Sequence, residues 1–430
     1  MAMRGLLFAV LLLPGLAVAE TMDFQQAQKY ALFNNPSIRA AYHSIAEARG
    51  RLLQAGLWPN PEIDLAYRSD VFFGGDGQDR IAAGLAQRLP WSGRLARAQT
   101  VSRLEVAIAL TEVRDEERRL VQEVQGSFID NLAAVEKTSA LKRLIRSVDS
   151  LIALNEARRQ AGQASAIAVN IGKVEKEGLR QRLVALEADQ GASLATLKGL
   201  LGLSPDAELS VKGSLTEVIS ALRRSTGSRK LYRPDLVRTS LEADAAGAEA
   251  ALARAEAWED ITVGVEYEFE RTLEDDALMN ENFLGFRVAV PLPVWNRNQG
   301  TVAEKAAAQQ RAHQNLIARQ IAIEAEINAS RVRAVKSAAV AALIQKDSLP
   351  LLDETRGILE SAIQTGQADT TEAITLTNQE IEQRLFFVEA LATEAQALSA
   401  VEASLGANGY LNRDIFINTL HENKSKSKKR

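Results

Sequence analysis

In the first third of the chain, apolar residues fall on odd-numbered positions over two short runs. A period of two is typical of a β-strand with one apolar face, and the letters FFGGDGQD between the runs indicate a turn. The pattern therefore predicts a β-hairpin within residues 61–90. Its apolar positions are Ile63, Leu65, Tyr67, Val71, Phe73, Ile81, Ala83, Leu85 and Leu89.

A second pair of alternating runs lies within residues 261–291, with a polar loop expected over residues 275–282. Each chain should thus supply four strands of about ten residues. The apolar positions of this second hairpin are Ile261, Val263, Val265, Tyr267, Phe269, Leu284, Phe286, Val288 and Val290.

Long helical patterns follow the hairpins. From Gly93 to Ala161 there is no proline, and apolar residues recur at spacings of three and four. This predicts one helix of about 100 Å at 1.5 Å per residue. The letters AGQAS at Gly162 indicate a turn, and a returning helix is expected over residues 167–201, before Gly202.

The second half shows the same plan, with TGQAD at Gly366 as its turn. Pro350 is expected to kink or interrupt the outgoing helix of that half. A shorter helix is predicted from Ser37 and must end before Pro59.

Six matched positions in the same order indicate an internal duplication. They divide the chain into repeat 1 (residues 20–203), a linking region (204–233), repeat 2 (234–406) and a C-terminal tail (407–430). The matched pairs are Pro36 and Pro234, Trp58 and Trp258, Tyr67 and Tyr267, Pro90 and Pro291, Gly162 and Gly366, and Gly202 and Gly406. Trp91 follows Pro90 as Trp295 later follows Pro291.

Residues 1–19 have the layout of a cleaved secretory signal, with Arg4, an apolar run and AVA before Glu20. The alternative is a membrane anchor, but about eleven apolar residues are too few to span a bilayer. The absence of cysteine excludes disulfides and lipidation at a new N-terminal cysteine. A net charge of −4 gives no sign of a nucleic-acid surface.

No later stretch is long and apolar enough for a transmembrane helix, so membrane entry would have to use the strands. All four tryptophans lie close to predicted strand ends, as in the aromatic girdles of outer-membrane barrels. The alternative is that they fill the seam between sheet and helices. Because four strands cannot close a barrel, sister copies would have to complete it, to eight strands with two copies or twelve with three. The four tryptophans are Trp58, Trp91, Trp258 and Trp295.

Four motifs, WPNPEIDLAYR, QRLPWSGRLARAQ, PLPVWNRNQG and RPDL, resemble the repeat signatures of the TolC-type outer-membrane factors, especially their heavy-metal (Czc-like) branch. The resemblance implies a mainly α fold with a membrane β-barrel. Three chains, with four strands each, would complete a twelve-stranded barrel that continues as a long α-helical coiled-coil tunnel. It also implies an outer-membrane channel with a large periplasmic portion, partnered by a periplasmic adaptor (membrane fusion protein) and an inner-membrane RND pump.

In the resembling family the two helical turns meet the adaptor and narrow the channel. The corresponding residues are Gly162, Gln163, Ala164, Ser165, Gly366, Gln367, Ala368 and Asp369. The aperture candidates are Asp369 and Glu372; Glu372 falls where family channels place an acidic aperture residue, and a ring of such carboxylates would favour cations. The alternative is that Asp369 caps the returning helix and Glu372 is an ordinary acid of its first turn.

Enzyme chemistry is not predicted. His43, His313 and His421 are isolated, and no residues have the spacing of a catalytic triad or a metal site, so no catalytic, cofactor or metal residues are expected. The expected function is passive export of pump substrates, with divalent heavy-metal cations first and drugs or secreted polypeptides as the alternative. A different class of protein, a soluble periplasmic coiled-coil adaptor or scaffold, stays open at this point.

Overall fold

The computed structural model describes residues 20–70, 74–75, 77–162, 165–227, 231–274, 277–365 and 370–406. Most of these residues are helical. Among them, no helix has the length and apolar character needed to cross a bilayer. The predicted signal segment and the whole C-terminal tail, residues 407–430, lie outside the described part of the chain.

The first half contains one short strand, two short helices, a β-hairpin and two long helices. They are β1 (Glu20–Met22), α1 (Phe24–Asn34), α2 (Pro36–Ala55), β2 (Glu62–Ser69), β3 (Asp79–Leu89), α3 (Arg94–Gln160) and α4 (Ala166–Leu201).

The second half contains a similar series after a short strand and a helix. It consists of β4 (Leu209–Val211), α5 (Leu215–Gly227), α6 (Pro234–Ala255), β5 (Ile261–Glu274), β6 (Ala277–Ala289), α7 (Gln299–Leu343), a π-helical segment (Ile344–Ser348), α8 (Leu349–Thr365) and α9 (Thr370–Leu405).

The two hairpins form one four-stranded antiparallel sheet in the order β2-β3-β5-β6. Both predicted hairpins are therefore present. The expected loop over residues 275–282 was too long, because β6 already begins at Ala277 and pairs with Glu274. Polar residues at 280–282 suggested a loop, yet their backbone continues the ladder. Val71 and Phe73 lie outside the described residues.

The linking region over residues 204–233 contains structure that its turn-rich sequence did not suggest. Strand β4 pairs in parallel with β1, and α5 buries Leu215, Val218, Ile219 and Leu222. These four positions have the spacing of one helix face, so burial of this apolar face stabilises the helix.

The predicted interruption at Pro350 is confirmed, and it takes the form of one π-helical turn. Proline has no amide hydrogen to donate to the carbonyl one turn earlier. The segment Ile344–Ser348 widens just before it, and the amide of Leu349 donates to the carbonyl of Ile344. Helix α3 of the first half has no such interruption.

The chain divides into two compact units, each built from both halves. The unit of residues 40–114 and 234–322 holds the sheet, and its helical parts pack through small residues such as Ala48 and Ala109 beside Ile45 and Val113.

The unit formed by residues up to 39, 115–233 and from 323 onward holds most of the long helices. One of its clusters joins α3, α4 and α9 through Leu141, Leu144, Val148, Leu179 and Ile381.

The last turns of α4 and α9 are closed in parallel ways. Asn35 donates its side-chain amide to the carbonyl of Leu200 at 2.8 Å, and Arg233 donates to the carbonyl of Ser404 at 3.1 Å. Both donors stand directly before a proline, and Gly202 and Gly406 follow the two helices with positive φ angles of 74° and 96°. The predicted glycine ends of both helices are thus confirmed.

Replacement of Gly202 tests this closure. A Cβ there would lie 2.9 Å from the carbonyl oxygen of Asn34, and the φ angle disfavours any L side chain. Gly202→Ala should therefore lower the free energy of unfolding by about 1–2 kcal/mol.

The matched control is Gly191→Ala inside α4, where a Cβ meets nothing within 4 Å. It should raise stability by about 0.5–1 kcal/mol. Far-UV circular dichroism during denaturant unfolding of the purified protein measures both. A Gly202→Ala variant as stable as the wild type would contradict the described closure.

Candidate functional site

The predicted apolar face of the sheet is present and exposed. Strand register aligns Leu65, Ala83, Tyr267 and Leu284 in one row across all four strands. Leu65 is 78% exposed and Phe286 is 80% exposed. The other exposed apolar side chains of this face include Ile63, Tyr67, Ile81, Leu85, Val265 and Val288. A patch of this kind in a single chain marks a surface that another apolar phase or partner covers.

The opposite face of the sheet is polar and has small residues at its centre. Asp64, Gly84, Glu266 and Gly285 form one row, and Arg287 lies 3.4 Å from the Glu266 carboxylate. A groove of about 290 Å³ is lined by Asp64, Gly84, Glu266 and Arg287 together with backbone and small residues of β2 and β3. The sheet is therefore amphipathic, with apolar and polar residues alternating as in membrane strands.

Strands β2 and β6 are the edges of the sheet. Within the described residues each pairs with one neighbour, β2 with β3 and β6 with β5. Their outer edges present backbone N–H and C=O groups that can pair with a further strand.

The structure brings two of the four tryptophans together. The rings of Trp91 and Trp258 meet edge to face with centroids 5.3 Å apart, and the Trp91 indole donates to the carbonyl of Glu259 at 3.0 Å. Both rings lie where the central strands β3 and β5 meet the helices, and both stay about half exposed.

Trp58 and Trp295 flank the edge strands instead. Trp58 precedes β2 and Trp295 follows β6. They are 62% and 89% exposed, respectively. The sheet thus has a paired set of rings at its centre and single exposed rings at its two edges.

An ion pair that sequence reasoning missed fixes the central junction. Arg94, the first residue of α3, donates two hydrogen bonds of 2.7 and 2.5 Å to Asp260, which directly precedes β5. The hydrogen bond from Arg94 lowers the pKa of the Asp260 carboxyl below its ordinary value. No local pattern joins residues so distant in sequence, so only the β3–β5 pairing could reveal this contact.

The turn between α3 and α4 is described at its two ends. Gly162 closes α3 with a φ of 74°, and Ser165 caps α4 by accepting a hydrogen bond from the Ala168 amide at 3.2 Å. Gln163 and Ala164 lie outside the described residues.

The corresponding turn of the second half, Gly366, Gln367, Ala368 and Asp369, lies outside the described residues as well. Glu372 is described: it stands in the first turn of α9 with an exposed side chain.

A second missed cluster joins α8 and α9. The buried Glu380 carboxylate lies 2.6 Å from Arg356 and 2.7 Å from Arg384, and Arg384 also lies 2.9 Å from Asp353. The spacing of Glu380 and Arg384 is a recognisable helical pair. The contacts with Arg356 and Asp353 require knowledge of how the two helices pack.

Among the described residues, no group of three histidines, acids or cysteines could hold a metal ion. His43 and His313 are described and belong to no such group, and His421 lies outside the described residues. The features that remain are an apolar sheet face, two open strand edges, rings near the strand ends, and helical turns.

An amphipathic sheet with open edges and rings near its strand ends is typical of membrane β-strands. The outer membrane efflux protein family matches residues 28–203. The cobalt-zinc-cadmium resistance protein CzcC of Cupriavidus metallidurans is 22% identical over 90% of this chain and 91% of its own. The pyoverdine export outer membrane protein OpmQ of Pseudomonas putida is 24% identical over 57% of this chain and 56% of its own.

The CmeC outer membrane channel of Campylobacter jejuni has a similar fold, with a TM-score of 0.72 at 13% identity over 92% of this chain and 88% of that one. The match over residues 28–203, the relatives and the fold thus agree with the resemblance to TolC-type outer-membrane efflux proteins that the motifs predict.

Proposed function

We propose that three copies of this chain form one outer-membrane channel that passively exports the substrates of a tripartite efflux system. Four strands from each copy complete a twelve-stranded barrel, and the long helices continue it as a periplasmic tunnel. An inner-membrane RND pump delivers the substrate through a periplasmic adaptor. The channel performs no chemistry on its cargo.

The exposed apolar face of the sheet carries the proposal. Burial of one large apolar side chain is worth about 1.5–3 kcal/mol, and this face leaves many of them open, including Ile63, Leu65, Phe286 and Val288. Contact with lipid would remove all of these side chains from water together and gain this free energy for each of them. The polar face with Glu266 and Arg287 would then line a water-filled lumen.

The similarity of this fold to TolC-type channels favours three copies over two. The open edges of β2 and β6 require a neighbour in lipid, because an unpaired ladder there leaves hydrogen-bonding groups unsatisfied. Eight or twelve strands would both satisfy this requirement. The similarity to TolC-type channels along the described chain supports twelve.

The proposed internal duplication gains support from the helix ends. Asn35 and Arg233 occupy matching places before Pro36 and Pro234, and each reaches the last turn of the returning helix of its own half. We therefore retain repeats over residues 20–203 and 234–406, joined by residues 204–233. We also retain a cleaved, non-lipidated secretory signal over residues 1–19.

Heavy-metal cations are the substrate class that we propose. One relative that matches the chain over most of its length is named for cobalt, zinc and cadmium resistance, whereas the relative named for pyoverdine export matches over little more than half. Drugs, siderophore-like compounds or polypeptides would use the same conduit, since the pump selects what enters it.

A soluble periplasmic adaptor is the rival class. It would have to bury the face around Leu65 and Phe286 against its own core. The described part of the chain leaves that face open, and the proposed duplication repeats hairpin and helices together, which weighs against the adaptor.

Deletion of the gene in its native host tests the function. The strain should become sensitive to cobalt, zinc or cadmium, with restoration by the plasmid-borne gene, while tolerance of organic antibiotics stays unchanged. A loss of antibiotic tolerance alone would show that the channel exports drugs and not heavy-metal cations. Unchanged tolerance of both classes would reject the export role.

Glu372 is proposed as the acidic residue of the tunnel aperture, with Gly162 to Ser165 and Gly366 to Asp369 as the adaptor-contacting turns. Its carboxylate is exposed in the first turn of α9. Three such groups around one axis would attract cations and resist anions. Glu372→Ala should therefore lower the cation-to-anion permeability ratio of single channels in planar bilayers.

The matched control is Glu382→Ala, an exposed acid farther along α9. It should leave the reversal potential unchanged, because only the aperture ring is expected to set selectivity. Equal effects of the two substitutions, or none from Glu372→Ala, would reduce Glu372 to an ordinary acid of the first helical turn.

A further inference from the structure

We infer the register in which neighbouring copies join: β6 of one copy pairs with β2 of the next so that Phe286 faces Tyr67, Val288 faces Leu65, and Trp295 lies beside Trp58. This inference rests on the proposed trimer and specifies its subunit seam. The trimer alone leaves that register open.

Strand directions and faces restrict the possible pairings. Neighbouring strands alternate in direction through β2, β3, β5 and β6, so β6 meets the β2 of a following copy in antiparallel orientation. The apolar face uses odd positions of β2 and even positions of β6. A shift of the register by one residue would place the apolar side chains of one strand on the polar face. The allowed registers therefore differ by two residues.

The pairing inside the chain shows how far each repeat advances along the strands. Leu65 pairs with Ala83, and Ala83 pairs in turn with Tyr267 on the next strand. In the repeat alignment Tyr267 corresponds to Tyr67, which is two residues beyond Leu65. One repeat therefore advances the register by two residues.

The same advance in the second repeat fixes the seam. Tyr267 pairs with Leu284. Tyr267 corresponds to Tyr67, and the residue two positions beyond Tyr67 is Ser69. The partner of Leu284 in the following copy is therefore Ser69. Phe286 then faces Tyr67, and Val288 faces Leu65. All of these apolar side chains stay on one face.

Barrel geometry agrees with this register. Six repeats in three copies give a shear of about twelve residues, and with 3.3 Å per residue and 4.8 Å between strands a twelve-stranded barrel then tilts its strands by about 35°. Membrane barrels tilt their strands by about 35–45°.

The two nearest alternatives fit less well. A register lower by two residues would pair Arg287 with Asp64, but it tilts the strands by only about 19°. A register higher by two residues gives a tilt of about 46°. It sets Arg287 directly opposite Arg68, and like charges in that position are destabilising.

The tryptophans support the same seam. Trp91 and Trp258 meet where repeat 1 joins repeat 2 inside the chain. The alignment equates Trp295 with Trp91 and Trp58 with Trp258. At the seam between copies the equivalent contact therefore joins Trp295 to Trp58, the two most exposed of the four tryptophans in a single chain.

Cysteine cross-linking tests the register cleanly, because the chain has no cysteine of its own. The variants Phe286→Cys with Tyr67→Cys, and Val288→Cys with Leu65→Cys, place two thiols at opposed positions. Opposed residues lie within the Cα separation that a disulfide needs, whereas positions displaced by two residues lie about 7–8 Å apart. Oxidation with copper phenanthroline in isolated outer membranes should convert both variants into dimers and closed trimers that survive denaturation.

The matched controls are Phe286→Cys with Leu65→Cys and Val288→Cys with Tyr67→Cys, which represent the two alternative registers. Their cross-linked fraction should be several-fold lower. Stronger cross-linking of either control would overturn the inferred register and leave the trimer in place. Absence of cross-linking in all four variants overturns the register too. If the protein is also monomeric in detergent, the proposed channel fails with it.

Discussion

The alternation of apolar and polar residues along four strands is the constraint on which the rest of the structure depends. Register locks Leu65, Ala83, Tyr267 and Leu284 into one row, so every strand presents its apolar residues to the same side. This face is exposed and the two outer edges can pair with further strands. The proposed function supplies what these properties require, an apolar surrounding for the face and a neighbouring copy for each edge.

Much of the fold follows from local patterns. The period of two located both hairpins, the proline-free apolar repeat located α3, and Gly202 marked the end of α4 because its positive φ angle suits glycine. The sequence predicts less where contacts between residues far apart in the chain determine the structure. Helix α5 forms by burying Leu222 and its neighbours, and Asp260 meets Arg94 only because β5 lies beside β3.

The candidate site shows the same division. Sequence spacing could place the tryptophans near strand ends, but not select Trp91 and Trp258 as the pair in contact. That choice depends on which strands are central. Within the second half, the π-helical turn before Pro350 and the ion pairs of Glu380 distinguish α8 and α9 from their counterparts in the first half. The two halves thus have a similar series of elements and differ in α8 and α9, the second of which contains Glu372.

The central claim is that the apolar sheet face is covered by lipid and completed by sister copies. Light scattering combined with size exclusion measures it directly on the purified protein from residue 20 to 430, with the mass of bound detergent subtracted. The account predicts a protein mass of three chains in detergent and aggregation once the detergent is removed. A monodisperse single chain in plain buffer would contradict it.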